Sequence, residues 1–449
     1  MTDLLGIGSS ALAAYRDALN AVGENVANAQ TPGYARRRVV LEEATVVATG
    51  DLAYRSQISF NGVSSTGVVR AWDAFKATEA RFSASAAGRA EVREQWLTSV
   101  ESALDDGPAG IGSSITGFFG AAASLASDPG DPLGRRSVLS ALDNAAGAFR
   151  ATAQKLARLS DGIGQSAELE VTALNNALAA LANLNGAITP VAADGSARAS
   201  LEDERDRLID LIASKLDVSV SIDGHGRATI APAGSFGSAL LDADGPNLVT
   251  LVPAVDGRLS LQLASNGTTS PLPAYGGSLA GLVEVSSTVA DRRAALDALA
   301  ADFTVMVNNW ATAGVDSNGN PGTALIDTPS SAASMQALVS DPALVPAADA
   351  SGVSNGNLLA LDAIRSAGNV ESRWSSLVSA HAQMLASARS EASATAKWRD
   401  NSYAALDEVT GVDLDHEAAE LLRFQQAYNA SARIIQVARE SMQALFDAL

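Results

Sequence analysis

The stretch "GENVANAQTPGY", Gly23 to Tyr34, decides how this chain is read. It carries the polar end of a helical pattern and breaks at Thr31-Pro32-Gly33. Proline disfavours helix at the residue before it and glycine permits a sharp turn, so the helix stops there. Val22 and Val26 finish an apolar stripe, while Asn25, Asn28 and Gln30 are free to hydrogen-bond at a crowded interface. The segment predicts an elbow, with helix before it and extended chain from Tyr34 onward.

Working outward, Leu5, Leu12, Tyr15, Leu19, Val22 and Val26 are separated by 7, 3, 4, 3 and 4 residues. That is an a/d seam on a helix covering residues 4–28. Far downstream, Leu414, Leu421, Tyr428, Ile435, Met442 and Leu449 recur every seven residues, with Phe424, Ser431, Ala438 and Leu445 in the intervening seam positions. They predict a second helix of about 35 residues, capped by Asp413 or Asp415. Gly6, Gly8, Gly23, Asn20, Asn25 and Asn28 weaken the first helix, and a narrow seam buries little unless another helix covers it. The two segments are therefore expected to pair as a coiled coil and to be disordered in a lone monomer. Their residual stripes remain for neighbouring subunits.

Between these helices the period changes several times. Residues 36–75 read as β, with Asn61-Gly62 as a hairpin turn. A helix over 74–104 carries Phe75, Phe82, Val92, Trp96, Val100 and Leu104. Breaks at "DDGPAGIG" and "SDPGDPLG" precede further helices, the last running from Arg135 to about Ile188. The helix "LEDERDRLIDLIASKL" ends near Asp217 and leads into short strands separated by Asp-Gly, Gly-His-Gly and Asn-Gly turns. Helix resumes from Ser278 to Trp310, a loose segment extends to about Asn355, and long helices return from Leu358. The expected fold is mainly α with β inserts (α+β, multidomain). It comprises a terminal coiled-coil segment (1–35 and 411–449), a helical bundle with β-hairpin elements (36–190 and 278–410), and a β-rich outer insert (191–277).

Composition narrows the chemistry. The 449 residues carry a formal charge of −19, which argues against a general affinity for nucleic acid. There is no cysteine, so thiolate metal sites, Cys nucleophiles and disulfides are excluded. No apolar run approaches the roughly 20 residues of a membrane helix, and the first twenty residues lack the pattern of a secretory signal. Taken alone, these features predict a cytoplasmic protein. Arg36-Arg37-Arg38 reads as a solvated strand edge or a partner for Glu42 and Glu43. The acids and arginines of "LEDERDRLID" read as a salt-bridged exposed face. His225, His381 and His416 are scattered, and "HEAAE" lacks the second histidine of a zinc-protease helix. Asp316, Asn318 and Asn320 imitate the opening of a calcium loop, but Pro321 stands where glycine is needed and Asp327 where glutamate is, so a surface turn is expected. No phosphate loop or nucleophile elbow occurs. Neither an enzyme nor a cofactor is indicated.

Both ends of the chain resemble one family. Asn25, Ala27, Asn28, Thr31, Pro32, Gly33 and Tyr34 match the N-terminal pattern Asn-x-Ala-Asn-x-x-Thr-x-Gly-Tyr of bacterial flagellar axial proteins (rod, hook and hook-associated subunits). Gln425, Gln426, Ala427, Tyr428, Ala430, Ser431 and Ala432 match the partner pattern Gln-Gln-Ala-Tyr-x-Ala-Ser-Ala. "LLRFQQAYNASARII", "LEDERDRLIDLIASKL" and "YGGSLAGLVEV" resemble the hook-associated members more than hook or rod subunits. "YARRR" departs from the usual continuation and leaves the partner of Arg36 open. The resemblance implies a structural subunit of a ring-like layer joining hook to filament, with a hook or rod subunit as the alternative. Its implied partners are further copies of itself, the hook protein, a second hook–filament junction protein, and an export chaperone on the C-terminal helix. It also implies passage through the flagellar type III channel to the cell exterior, which revises the cytoplasmic expectation.

Overall fold

The computed structural model describes residues 2–47, 58–105, 107–234, 238–328 and 330–447. Helix α1 (Thr2–Asn28) leads into an antiparallel pair, β1 (Arg37–Val47) and β2 (Ile58–Arg70). Helices α2 (Ala74–Ala103), α3 (Ile111–Leu125) and α4 (Pro132–Ile188) follow, the last 57 residues long. After α5 (Ser196–Lys215) come a four-stranded and a three-stranded antiparallel sheet. The first contains β3 (Val218–Ile222), β4 (Ala228–Pro232), β5 (Leu241–Asp242) and β6 (Gly245–Pro246). The second contains β7 (Leu248–Pro253), β8 (Leu259–Ser265) and β9 (Thr268–Leu272). Helix α6 (Gly277–Ala313) returns to the bundle, β10 (Gly314–Val315) pairs with β11 (Ala348–Asp349), and α7 (Gly356–Gly368), α8 (Val370–Thr410) and α9 (Leu414–Asp447) close the order. The fold is mainly α with several small antiparallel sheets.

The helix starts follow from local chemistry. Asp73 accepts hydrogen bonds from the Phe75 and Lys76 amides at the start of α2. Asp131 does the same for Leu133 and Gly134, with Pro132 at the first position of α4. Asp413 accepts from the Asp415 and His416 amides at the head of α9. Each side chain satisfies donors that a helix N-terminus otherwise leaves unpaired.

Two apolar cores share α4. The larger gathers Phe118, Phe149, Phe303, Trp310 and Trp374 from α3, α4, α6 and α8. The smaller packs Val171 to Leu181 of α4 and Ile209, Ile212 and Leu216 under strands of both sheets, with Leu279 at the start of α6. The same helix thus runs without a break from the bundle into the β-rich module.

Two expectations need correction, the turn at Asn61-Gly62 and the loose segment before Asn355. Asn61-Gly62 is not the hairpin turn: Gly62 lies inside β2, where the register slips between Glu43 and Thr45. Its φ is +88°, and a Cβ there would sit 2.6 Å from Ser10 Oγ and 3.0 Å from Ile7 Cα, so glycine lets the strand press against α1. The β1–β2 connection itself lies outside the described residues. Phe75 and Phe82 face outward, Phe75 being 80% exposed, because α2 turns an alanine- and serine-rich face inward. The segment before Asn355 is packed rather than loose, with Leu325, Ile326, Met335 and Val345 fully buried. Helix side chains satisfy its backbone. Asn308 donates to the Ile326 carbonyl and accepts from the Leu325 and Ile326 amides. Asn357 donates to the Trp310 and Pro346 carbonyls, and Arg135 donates to Val345.

Gly277 has φ +79°, and a Cβ there would lie 2.3 Å from the Lys215 carbonyl group. Gly277→Ala should therefore cost about 3 kcal/mol or more in urea unfolding. Gly267→Ala, also at positive φ but with open space around it, should cost only about 1–2 kcal/mol. Equal costs would show that close packing at Gly277 is unimportant. A second prediction concerns His381, which is buried with Nε2 2.9 Å from the Leu97 carbonyl. Burial holds its imidazole below the ordinary range. The unfolded chain takes up a proton that the folded chain refuses, so stability should fall as pH drops below about 6.5. His381→Gln keeps a donor near Leu97 and should flatten that part of the urea midpoint's dependence between about pH 7.5 and about pH 5.5.

Candidate assembly interface

Helices α1 and α9, from opposite ends of the sequence, lie antiparallel. Gly8 faces Ile435, the Tyr15 ring is 6.3 Å from Phe424, and Asn25 meets Glu417, so one number climbs as the other falls. The buried line on α1 is Gly8, Ala11, Ala14, Ala18, Ala21, Val22 and Asn25. Leu5, Leu12, Tyr15 and Leu19 flank it half-buried, and Val26 is 44% exposed. On α9, Glu417, Ser431 and Ala438 are buried, while Leu421, Phe424, Ile435 and Met442 are half-buried. Leu414 is 52% exposed, and Gln425, Gln426 and Tyr428 face outward. The Leu445 side chain and Leu449 lie outside the described residues. The helical period of both segments holds, but their closest line is built of small side chains. These let the helices approach while β1 and β2 form a third wall, with Val39, Leu41 and Val68 against Ala18, Ala21 and Phe424.

The elbow is organised by Asn25, which is 1% exposed. Its Oδ1 accepts from the Arg37 amide (2.9 Å) and the Tyr34 hydroxyl (2.8 Å). Its Nδ2 donates to the Arg37 carbonyl (2.9 Å) and to Glu417 Oε2 (3.1 Å). One side chain thus joins the end of α1, the first residue of β1 and the first turn of α9. Asn28 donates to the Glu24 carbonyl and accepts from Thr31 Oγ1. The Tyr34 amide donates to the Thr31 carbonyl, and Gly33 between them has φ +78°. Gln30, Thr31, Pro32 and Gly33 are exposed. Burial pushes the Tyr34 hydroxyl up to about 12, with the Arg37 charge opposing, so it serves as a neutral donor. The Arg36 amide donates to the Thr410 carbonyl at the end of α8.

Beneath the elbow lies a buried ion cluster, and here two sequence readings fail. Arg37 is not on a solvated edge paired with Glu42 or Glu43. Its guanidinium reaches Glu24 Oε2 at 2.7 Å, Asp203 Oδ2 at 3.1 Å and Ser200 Oγ at 2.9 Å, and lies 4.9 Å from the Tyr34 ring centre. Nor is "LEDERDRLID" an exposed face throughout: Glu204 and Arg207 do pair on the surface at i, i+3 spacing, but Asp203 and Asp206 turn inward. Asp206 takes Arg70 at 2.9 Å, Arg81 at 3.2 Å and Arg205 at 3.1 Å, while Arg81 also binds Asp210 at 2.6 Å. Arg70 Nε rests 2.8 Å from Asp203 Oδ1 as a charge contact, and its guanidinium stacks over Trp72. Burial raises the Asp203 and Asp210 carboxyls above their ordinary range despite these cations. The physical reason for both corrections is the same: β1–β2 lies across α5, burying arginines and acids drawn from segments far apart in sequence. Strand–helix contact at that separation leaves no local spacing to read. Its only trace is the density of Arg with Asp and Glu in both segments.

Asp316 Oδ1 accepts from the Asn318 and Asn320 amides. Among the described residues no group of three or more histidines, aspartates or glutamates could hold a metal ion, and no helix is long and apolar enough to cross a membrane.

Comparison with known proteins supplies the family context. Residues 97–326 match the family described as flagellar hook-associated protein FlgK helical domain. Residues 405–448 match flagellar basal body rod FlgEFG protein C-terminal, and 5–34 match flagella basal body rod protein. The chain is similar to flagellar hook-associated protein 1 of Bacillus subtilis, at 25% identity over 95% of this chain and 94% of that protein. It is 27% identical to the Salmonella typhimurium protein of that name over 72% of this chain, and it spans only 59% of that relative's length. Its fold is similar to the solved structure of the flagellar hook junction protein FlgK from Burkholderia pseudomallei. That match has a TM-score of 0.51 and 24% identity, and covers 56% of this chain and 46% of that one.

The ion cluster yields a contrast in stability. Asp206→Asn leaves three buried guanidinium groups around an uncharged amide and should cost about 3–5 kcal/mol in urea unfolding. Glu204→Gln, which removes an exposed pair with Arg207 on the same helix, should cost less than about 1 kcal/mol. Similar costs would mean that the buried cluster is not under electrostatic constraint.

Proposed function

The chain belongs to the flagellar hook-associated protein FlgK family, and from that membership we propose that it is a structural subunit of the ring-like layer joining hook to filament. The matches at 5–34 and 405–448 are to families named for rod proteins, whereas the match over 97–326 is to the hook-associated family. In this reading the hook protein lies on one side of the layer and a second junction protein on the other. The subunit reaches the cell exterior through flagellar type III export, with a chaperone covering the C-terminal helix beforehand.

The observation that carries the proposal is the split character of the α1–α9 pair. Its inner line is alanine, yet Leu4, Val26, Leu414, Leu422, Ile434 and Val437 remain exposed. In the axial tube these side chains, with the half-buried Leu5, Leu12, Tyr15, Leu19, Leu421, Phe424, Ile435 and Met442, are covered by neighbouring copies. The pair then becomes one layer of a coiled-coil array, and burial compensates the entropy of ordering segments that are dynamic in the free subunit.

Two measurements test this. Deleting the gene should leave hooks without filaments under electron microscopy, with complementation restoring them; normal filaments on the deletion strain would overturn the junction role. Hydrogen exchange should be fast over residues 5–26 and 421–442 in soluble subunit and slow in assembled flagella. Strong protection in the free subunit would overturn assembly-coupled ordering. The alternative, a hook or rod subunit, draws on the two rod-type matches and would show itself if purified protein grew into long tubes.

A further inference from the structure

We infer that the elbow is a coupling latch: seating α1 on α9 and closing the arginine cluster over α5 are one cooperative step, so order at the sequence ends reaches the β-rich module. The inference deepens the assembly reading above. It rests on a continuous set of short polar contacts that crosses three layers.

Glu417 on α9 accepts from Asn25, and Asn25 holds both backbone groups of Arg37. The Arg37 guanidinium then spans Glu24 on α1 and Asp203 on α5. Ser196, at the first turn of α5, donates to Glu24 at 3.0 Å, a second tie between the same helices. From α5, Arg205 donates to the Gly226 carbonyl at 3.0 Å and Arg198 to the His225 carbonyl at 2.6 Å, both in the β3–β4 turn. The hairpin is fixed to the start of α5 as well, since the Val68 amide donates to the Asp194 carbonyl at 2.8 Å.

Buried charges give this set two states rather than a gradual range. If α1 leaves, Arg37 loses the Glu24 carboxylate and the amide that holds its backbone, yet would remain enclosed beside Asp203. A buried ion with part of its pairing removed is strongly unfavourable. The cheaper arrangement lifts β1 and β2 from α5, hydrating Arg37 and Asp203 together. Docked helices and a closed cluster therefore go together, as do released helices and an open one. Two ligated states of this kind couple distant segments reciprocally.

The test uses the full chain, which contains no native cysteine. A Cβ built on Gly8 lies 2.7 Å from Ile435 Cγ1, so Gly8→Cys with Ile435→Cys forms a reducible clamp across the helix pair. Hydrogen exchange is compared between oxidised and reduced forms of the same sample. Oxidation should slow residues 8–25 and also slow 196–206 and 223–231 by about fivefold or more. Adding Asp203→Asn should abolish the second effect and leave the first. In the opposite arm, Ser431→Glu with Ala438→Glu wedges the pair apart and should speed exchange over 196–206 and 223–231. Slowing confined to α1 and α9 would overturn the latch while leaving assembly-coupled ordering intact. Should the ends of the free subunit already be protected, so that the clamp changes nothing there, that ordering fails instead. The wedge then decides the latch: faster exchange over α5 supports it, unchanged exchange overturns it.

Discussion

A buried primary amide is tolerable only when its donors and acceptor are all engaged, and that constraint at Asn25 organises the molecule. Its carbonyl oxygen takes two hydrogen bonds and its nitrogen gives two. The four partners come from α9, the backbone of β1 and Tyr34, so the side chain can be satisfied only if all three elements meet at one point. Leaving one such buried group unpaired costs about 1–3 kcal/mol. The elbow is accordingly specified by hydrogen-bond completeness, while the alanine line beside it supplies contact without a unique register. Gly33 at positive φ then lets the chain reverse within the few residues between α1 and Arg37.

The ion cluster extends that specification to the outer layers. Removing several arginines and carboxylates from water is expensive, and well-packed apolar residues often serve stability as well or better. What the cluster supplies is geometric discrimination: Asp206 fits between Arg70, Arg81 and Arg205 only when β2, α2 and α5 are in register. Trp72, stacked against Arg70 and Arg81, closes the same arrangement from the side of α2. Helix α4 provides the complementary stiffness, because one uninterrupted helix contributes to both apolar cores. The β-rich module is thus held by a rod on one side and by a charged contact on the other.

Much of this was legible from the sequence, and the failures share a physical origin. The start of α9 was visible at Asp413 because capping is a contact between residues two or three apart, and Asp73 and Asp131 cap α2 and α4 in the same way. Helical period likewise identified α1 and α9. Which stripe faces inward was not visible, since leucine outranks alanine in any hydropathy pattern, yet only small residues let α1 approach α9 and the hairpin together. Asn61-Gly62 has the chemistry of a turn, but the same freedom at positive φ serves a bulge pressed on Ile7. The segment around Leu325 and Val345 lacks a period because its backbone is satisfied by Asn308, Asn357 and Arg135 rather than by its own repeat. Arg37 and Asp203 read as surface charges because their pairing depends on contact between segments 166 residues apart.

The small-residue line of α1 also bears on the assembly proposed above. Fixing a residue's backbone costs about 1–2 kcal/mol, whereas burying one methylene-sized group returns only about 0.8 kcal/mol. Ala11, Ala14, Ala18 and Ala21 therefore bring α1 close to its partner without fully offsetting the ordering of a 27-residue helix. Had leucines filled the inner line, the pair would be self-sufficient and its outer surface free to be polar. With the large side chains at the flanks and outside, the same residues count fully only when a neighbour covers them. On the assembly reading proposed above, such ends are weakly held alone and firmly held in company, and the four hydrogen bonds of Asn25 give the docked arrangement one geometry.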